Sequence, residues 1–153
     1  MDGLSQIVDI LIPNLGQRYS SISSEQSKAA QRIIVVYATK VFENAGIELV
    51  RAPRCRIGGY NYNEYTTLRI DLNVLLKNIG VSGWNEGTLR INPRLSFYPK
   101  KNSWTTNTKV DNCISMWPSE MRNHRKIRLV GEGIADAIYR TFSIYSAPSE
   151  PAY

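Results

Sequence analysis

The chain has 153 residues, of which 42% are hydrophobic and 21% charged, and its formal net charge is +6. That length suits one domain with its own core, and the charged fraction is too small for wholesale disorder. The positive surplus favours an anionic partner such as nucleic acid, acidic lipid or acidic protein, although it also serves simply to keep a soluble domain from self-associating.

Two cysteines, Cys55 and Cys113, do not make a disulfide framework, and with the single histidine, His124, they show no metal-ligand spacing. The N-terminal residues lack the basic and apolar regions of a signal peptide, and the densest apolar run, residues 33–38, is too short to span a bilayer. The expected location is the cytoplasm or the interior of an assembled particle, with reduced thiols.

Leu4, Ile7, Val8 and Leu11 recur at helical spacing, and Pro13-Asn14 should end that short helix. A serine-rich loop over residues 16–23 follows. Ser23 and Gln26 then stand in capping-box relation, with Glu25 placed for the helix dipole. The helix they open should run to about Ala45, where Gly46 supplies a left-handed stop. Its middle, Ile33-Ile34-Val35-Val36-Tyr37-Ala38, is apolar on nearly every side, which fits a buried helix or one that also faces a partner.

From Ile47 the period changes to two. Ile47, Leu49, Cys55 and Ile57 share one parity, broken by Pro53, which suggests an edge strand or a bulge. Leu68, Ile70, Leu72 and Val74 alternate with Thr67, Arg69, Asp71 and Asn73 in the clearest half-buried strand. A loop carrying Gly80, Gly83 and Gly87 leads to Leu89, Ile91, Leu95 and Phe97, which alternate with Arg90, Asn92, Arg94 and Ser96. Pro93 argues for an edge position or a local break there. A turn at Pro99-Lys100-Lys101-Asn102 precedes a weaker strand from Trp104 to Met116.

Ile127, Val130, Ile134, Ile138 and Tyr145 fit one stripe of a long helix, but Gly131 and Gly133 would cost it about 2 kcal/mol relative to alanine. A strand over residues 126–130, a glycine turn and a helix from Glu132 avoids that cost and is slightly favoured. Residues 147–153 read as an irregular tail. The expectation is a single α+β domain over residues 1–146: two N-terminal helices, an antiparallel sheet of about four strands, and a C-terminal helix packed on one face.

The outward parity of the sheet is the most informative chemical feature. If Leu68, Ile70 and Leu72 face the helices, Arg69 and Asp71 point away, as do Arg90 and Arg94, and Arg54, Arg56 and Lys109 join them. Guanidinium groups and aromatics on an open sheet face can bind phosphates and stack bases, whereas cross-strand Arg–Asp pairing on a solvated face is the plain alternative. A second run, Arg122, His124, Arg125, Lys126 and Arg128, suits phosphate or anionic headgroups, or is a solvated surface. Tyr60, Tyr62 and Tyr65 sit among glycine and asparagine, a composition of adaptable contact surfaces, and Trp84, Trp104 and Trp117 mark contact sites or core edges.

Enzymatic signals are poor. Gly131-x-Gly133 lacks the third glycine of a dinucleotide motif, Glu132 and Asp136 are a lone acidic pair, and His124 has no nucleophile beside it in sequence. No catalytic, metal or cofactor site is expected. The leading expectation is a non-catalytic structural or assembly protein, self-associating or part of a virion or other large complex. A nucleic-acid-binding module using the arginine face is the first alternative, and peripheral attachment to anionic membrane through residues 122–128 is the second.

Overall fold

The computed structural model describes residues 3–11, 23–61, 65–98, 100–101, 103–106 and 109–146. Helix α1 (Gln6–Leu11) buries Ile7, Val8 and Leu11. The terminator predicted at Pro13-Asn14, the loop over residues 16–22 and the tail over residues 147–153 lie outside the described residues. Helix α2 (Ser24–Asn44) opens on the predicted capping box: Ser23 Oγ accepts the Gln26 N–H at 3.1 Å and Gln26 Oε1 accepts the Ser23 N–H at 2.8 Å. The same Gln26 donates from Nε2 to the Ile10 carbonyl at 2.9 Å, which ties α2 to α1. Ala30, Ile34, Ala38 and Phe42, four residues apart, are fully buried, and Ile33, Tyr37 and Val41 beside them pack partly buried against the core. Val36, on another side of that run, is 54% exposed.

Among the described residues the sheet has six strands rather than about four: β1 (Arg54–Asn61), β2 (Thr66–Val81), β3 (Trp84–Ile91), β4 (Arg94–Tyr98), β5 (Ser103–Thr106) and β6 (Ile114–Trp117). Every strand pairing is antiparallel. The count differs because two of the expected strands are interrupted. On one side of β2 lies β1; on the other, β3 and β4 follow in unbroken register, with Leu72 opposite Ile91 and Arg69 opposite Arg94. Pro93, between them, accepts the Ile70 N–H at 3.1 Å but has no N–H to return. Since β5 and β6 flank this line on its far side, Pro93 is a break inside the sheet and not an edge. The expected strand from Trp104 to Met116 is likewise split into β5 and β6 by a 3₁₀ turn at Val110–Cys113.

The expected glycine loop is also replaced. Strand β2 runs to Val81, so the hairpin turn is only Ser82–Gly83, with Gly80 inside β2 and Gly87 inside β3. Asn78 and Gly80 take positive φ values of 53° and 72°, and the resulting bulge returns Ile79 to the core.

The C-terminal segment is one helix, α3 (Arg125–Ser146), without the break favoured at the glycines. His124 caps it, Nδ1 accepting the Ile127 N–H at 3.2 Å. A Cβ on Gly131 would sit 3.3 Å from Leu89 Cδ2 and 3.5 Å from Ile114 Cδ1, so this glycine lets the helix lie close on the sheet. That packing offsets a propensity cost which sequence arithmetic counts alone. Leu68, Ile70, Leu72, Val74 and Leu76 from β2 join Leu89, Ile91 and Leu95 and the buried stripes of all three helices in one core. The helices therefore cover one face of a strongly curled sheet.

Cys55 and Cys113 form no disulfide. The Cys113 thiol lies 3.0 Å from the Tyr139 hydroxyl, while Cys55, on the core face of β1, has its thiol pushed up to about 12, by burial first and by Asp71 second. Among the described residues no helix is long and apolar enough to cross a membrane.

Two glycines should respond in opposite directions. A Cβ on Gly133 meets nothing within 4 Å, so Gly133→Ala is expected to stabilise by about 1 kcal/mol. On Gly87 it would lie 2.7 Å from both Ile79 Cδ1 and Met121 Sδ and 3.1 Å from the Trp117 carbonyl, so Gly87→Ala should cost about 1–3 kcal/mol. Urea denaturation with unchanged slope checks both.

Candidate functional site

Because the buried residues of β2 occupy one parity, the register decides what shares the other face. Arg69 lies opposite Arg94 on β4 and Gly58 on β1; Asp71 lies opposite Arg56; Asn73 lies between Arg54 and Arg90. The three rows carry Arg54, Arg56, Arg69, Arg90 and Arg94, all exposed, and one acid, Asp71. The expected arginine face is thus assembled from β1, β2, β3 and β4.

Asp71 organises this cluster. Arg90 grips it with both arms of its fork, Nε to Oδ1 and Nη2 to Oδ2, each at 2.8 Å. That hydrogen bonding, followed by the charges of Arg90, Arg69 and Arg56, holds the Asp71 carboxyl below the usual carboxylate range against the opposing effect of burial. The remaining arginines have no such partner: among the described residues, Arg54, Arg56, Arg69 and Arg94 make no ion pair. Ile70 and Pro93 are a hydrogen-bonded pair, so the next pair along, Arg69 and Arg94, is of the closer, non-hydrogen-bonded kind. Two like charges directly opposed there are destabilising by roughly 0.2–1 kcal/mol.

Aromatic side chains bound the arginine rows at both ends. One row beyond Arg69, Thr67 and Ser96 are buried with hydroxyls 3.4 Å apart, and beyond them Tyr65 stacks on Tyr98 with centroids at 5.1 Å. At the other end Thr88 lies opposite Leu75 and Trp117, and Trp117 meets Trp84 edge-to-face at 5.9 Å. Trp117, joined to Pro118 by a cis peptide bond, is 63% exposed, and Trp84 is 44% exposed. From the tyrosine stack to the tryptophans the face extends about 34 Å, ten residues at about 3.4 Å each.

The other predicted residues are elsewhere. Lys109 is not on the sheet but precedes the 3₁₀ turn at Val110–Cys113, because the fourth line of the sheet detours there. Trp104 belongs to the core side, partly buried and packed on Phe97 and Phe142 at 5.0 and 4.7 Å. Tyr60 occupies β1 opposite Thr67, and Tyr62 lies outside the described residues. Arg122 sits in a second 3₁₀ turn, Ser119–Asn123, and Arg125, Lys126 and Arg128 in the first turn of α3, all four exposed. Arg122 and Arg128 share a hollow with Asp111 and Glu132 beside β6, so these two of the four cations face two acids. Glu132 and Asp136 are held by Arg128 at 3.9 Å and Arg140 at 2.8 Å, as ordinary helix pairs. Trp117 and Tyr98 complete the site; their place on the outer face follows only from the β3–β6 and β2–β4 registers.

The chain matches no protein-family model, and no curated protein or solved structure matches it.

The depressed Asp71 carboxyl contributes stability above its unfolded value of about 3.9, and that contribution is lost as pH falls through its folded value. With Arg90 about half exposed, solvent screening limits the pair to about 1 kcal/mol or less. Asp71→Asn should therefore be less stable than the native chain at pH 7 by up to about that amount, and the difference should shrink as pH falls below about 3.9, as read from urea midpoints along a pH series.

Proposed function

We propose that this chain is a non-catalytic binding protein whose outer sheet face engages the phosphates of nucleic acid. The observation that carries the reading is three adjacent rows of the sheet face opposite the helices, which hold Arg56, Arg69, Arg90 and Arg94 with Arg54 at their edge, all exposed, and one acid, Asp71. Guanidinium forks match phosphate oxygens in geometry, and neutralising phosphates releases counterions, which makes such binding strongly salt-dependent. A phosphate lying between Arg69 and Arg94 would also relieve their mutual repulsion. The stacked and exposed aromatics at the two ends suit base contacts. Changing both arginines, Arg69→Ala with Arg94→Ala, should leave the free protein as stable as before or slightly more so. It should also flatten the dependence of log affinity on log salt by about 1.4 for a single strand, about 0.7 per lost contact. Fluorescence anisotropy across a salt series measures this. Binding that is absent, or indifferent to salt and to these arginines, overturns the reading, and binding to acidic vesicles alone would favour membrane attachment instead.

A second reading, membership of a larger assembly, has a specific feature in its favour. An apolar hollow of about 480 Å³ between α2 and β1 is lined by Val35, Val36 and Cys55 and flanked by Lys28, Arg32 and Arg54. Its cations suit an acidic amphipathic segment of a partner and oppose a second copy of this basic chain. A labelled leucine–glutamate helical peptide is expected to bind more tightly than a leucine–lysine one, and Val36→Asp to abolish the difference. Equal binding of the two peptides would remove this reading.

A further inference from the structure

The outer face ends in a hollow that the arginine rows do not explain. Its volume is about 450 Å³, and Trp84, Trp117, Leu75, Thr88, Asn85 and Glu86 are among the residues that line it. The indoles stand at 83° to one another, so each leaves a flat face open rather than stacking the other shut. Two tryptophans 44% and 63% exposed on one strand pair make an apolar patch that a soluble surface rarely carries without a use.

We infer that this hollow receives an unpaired nucleobase, so that the face takes single-stranded rather than duplex nucleic acid; the inference rests on the nucleic-acid reading above. The chemistry separates base from phosphate. Among the described residues no cation lines the hollow, and Glu86, set opposite Lys77 across the strands, offers acceptor oxygens to the amino edge of a base. The nearest guanidinium row, Arg90 with Arg54, begins two residues along β3 from Thr88, about 7 Å away. A base stacked on an open indole face thus leaves its phosphate within reach of Arg90. In a duplex the base faces are buried in the stack, and neither indole can reach one without unstacking it. A single strand offers those faces freely, whether it is RNA or DNA.

The test uses the full chain with oligodeoxyuridylate, oligouridylate, a duplex of equal length, and inorganic polyphosphate as a base-free polyanion. Both single strands are expected to quench tryptophan fluorescence and to bind more tightly than the duplex. Trp117→Ala, at an exposed position, should weaken single-strand binding by about tenfold and leave polyphosphate binding unchanged. Trp117→Phe, which keeps a ring, should recover part of the loss, and circular dichroism confirms that both variants fold. Unequal affinity for the two single strands, provided both exceed the duplex, identifies the preferred sugar and supports the inference. Duplex binding as tight as single-strand binding, or single-strand binding without quenching or indifferent to Trp117, overturns the inference while leaving the arginine reading intact. Failure of every polyanion to bind, or insensitivity of all binding to Arg69→Ala with Arg94→Ala, overturns the underlying reading itself.

Discussion

The pairing of β2 with the β3–β4 line is the constraint on which the rest depends. One register holds from Thr66 opposite Phe97 to Lys77 opposite Glu86, through Pro93. Because side chains alternate, that single register sends Leu68, Ile70, Leu72, Val74 and Leu76 inward and Arg69, Asp71 and Asn73 outward together. A shift of one residue would bury the arginines and expose the leucines. The hydrophobic core is therefore what fixes the arginine face, although no arginine takes part in it.

The face is held in a state of partial compensation. Asp71 is bound by Arg90 and lies within the field of Arg56 and Arg69, so one carboxylate serves several guanidiniums. Neither Arg69 nor Arg94 makes an ion pair among the described residues, and only Arg69 feels the field of Asp71. A sheet selected for stability alone would set an acid opposite one of them, as Glu86 is set opposite Lys77 nearer the hairpin turn. The cost of leaving them opposed is small beside the burial of the core and becomes favourable once an anion lies between them.

Much of this was legible in the sequence wherever one local pattern decided the outcome. The capping box at Ser23, the stop at Gly46 and the alternation around Leu68 each depend on residues within a few positions of one another. What escaped depended on distant partners. Gly131 reads as a helix breaker until Leu89 is known to lie against it. Pro93 reads as an edge residue, because nothing local reveals that a hairpin turn ten residues earlier draws it into the interior of the sheet. Trp104 and Trp117 carry similar local signals, yet one packs on Phe142 and the other is exposed, since their parity is set by ladders to β4 and β3 respectively. Parity alone sets the arginines on one face, but their opposition across the strands depends on the turn falling at Ser82–Gly83.

That two-residue turn has a consequence for the order of events in folding. The lines of the sheet follow one another in the chain, so each pairing closes a short loop and costs little loop entropy. Local pairings of this kind are the ones a chain makes soonest. Helix α3 comes last in the chain and must return to meet α1 and α2 across the whole sheet. The outer face thus draws its geometry from the short-range, early part of the topology, and the long-range closure is left to the side that faces away from it.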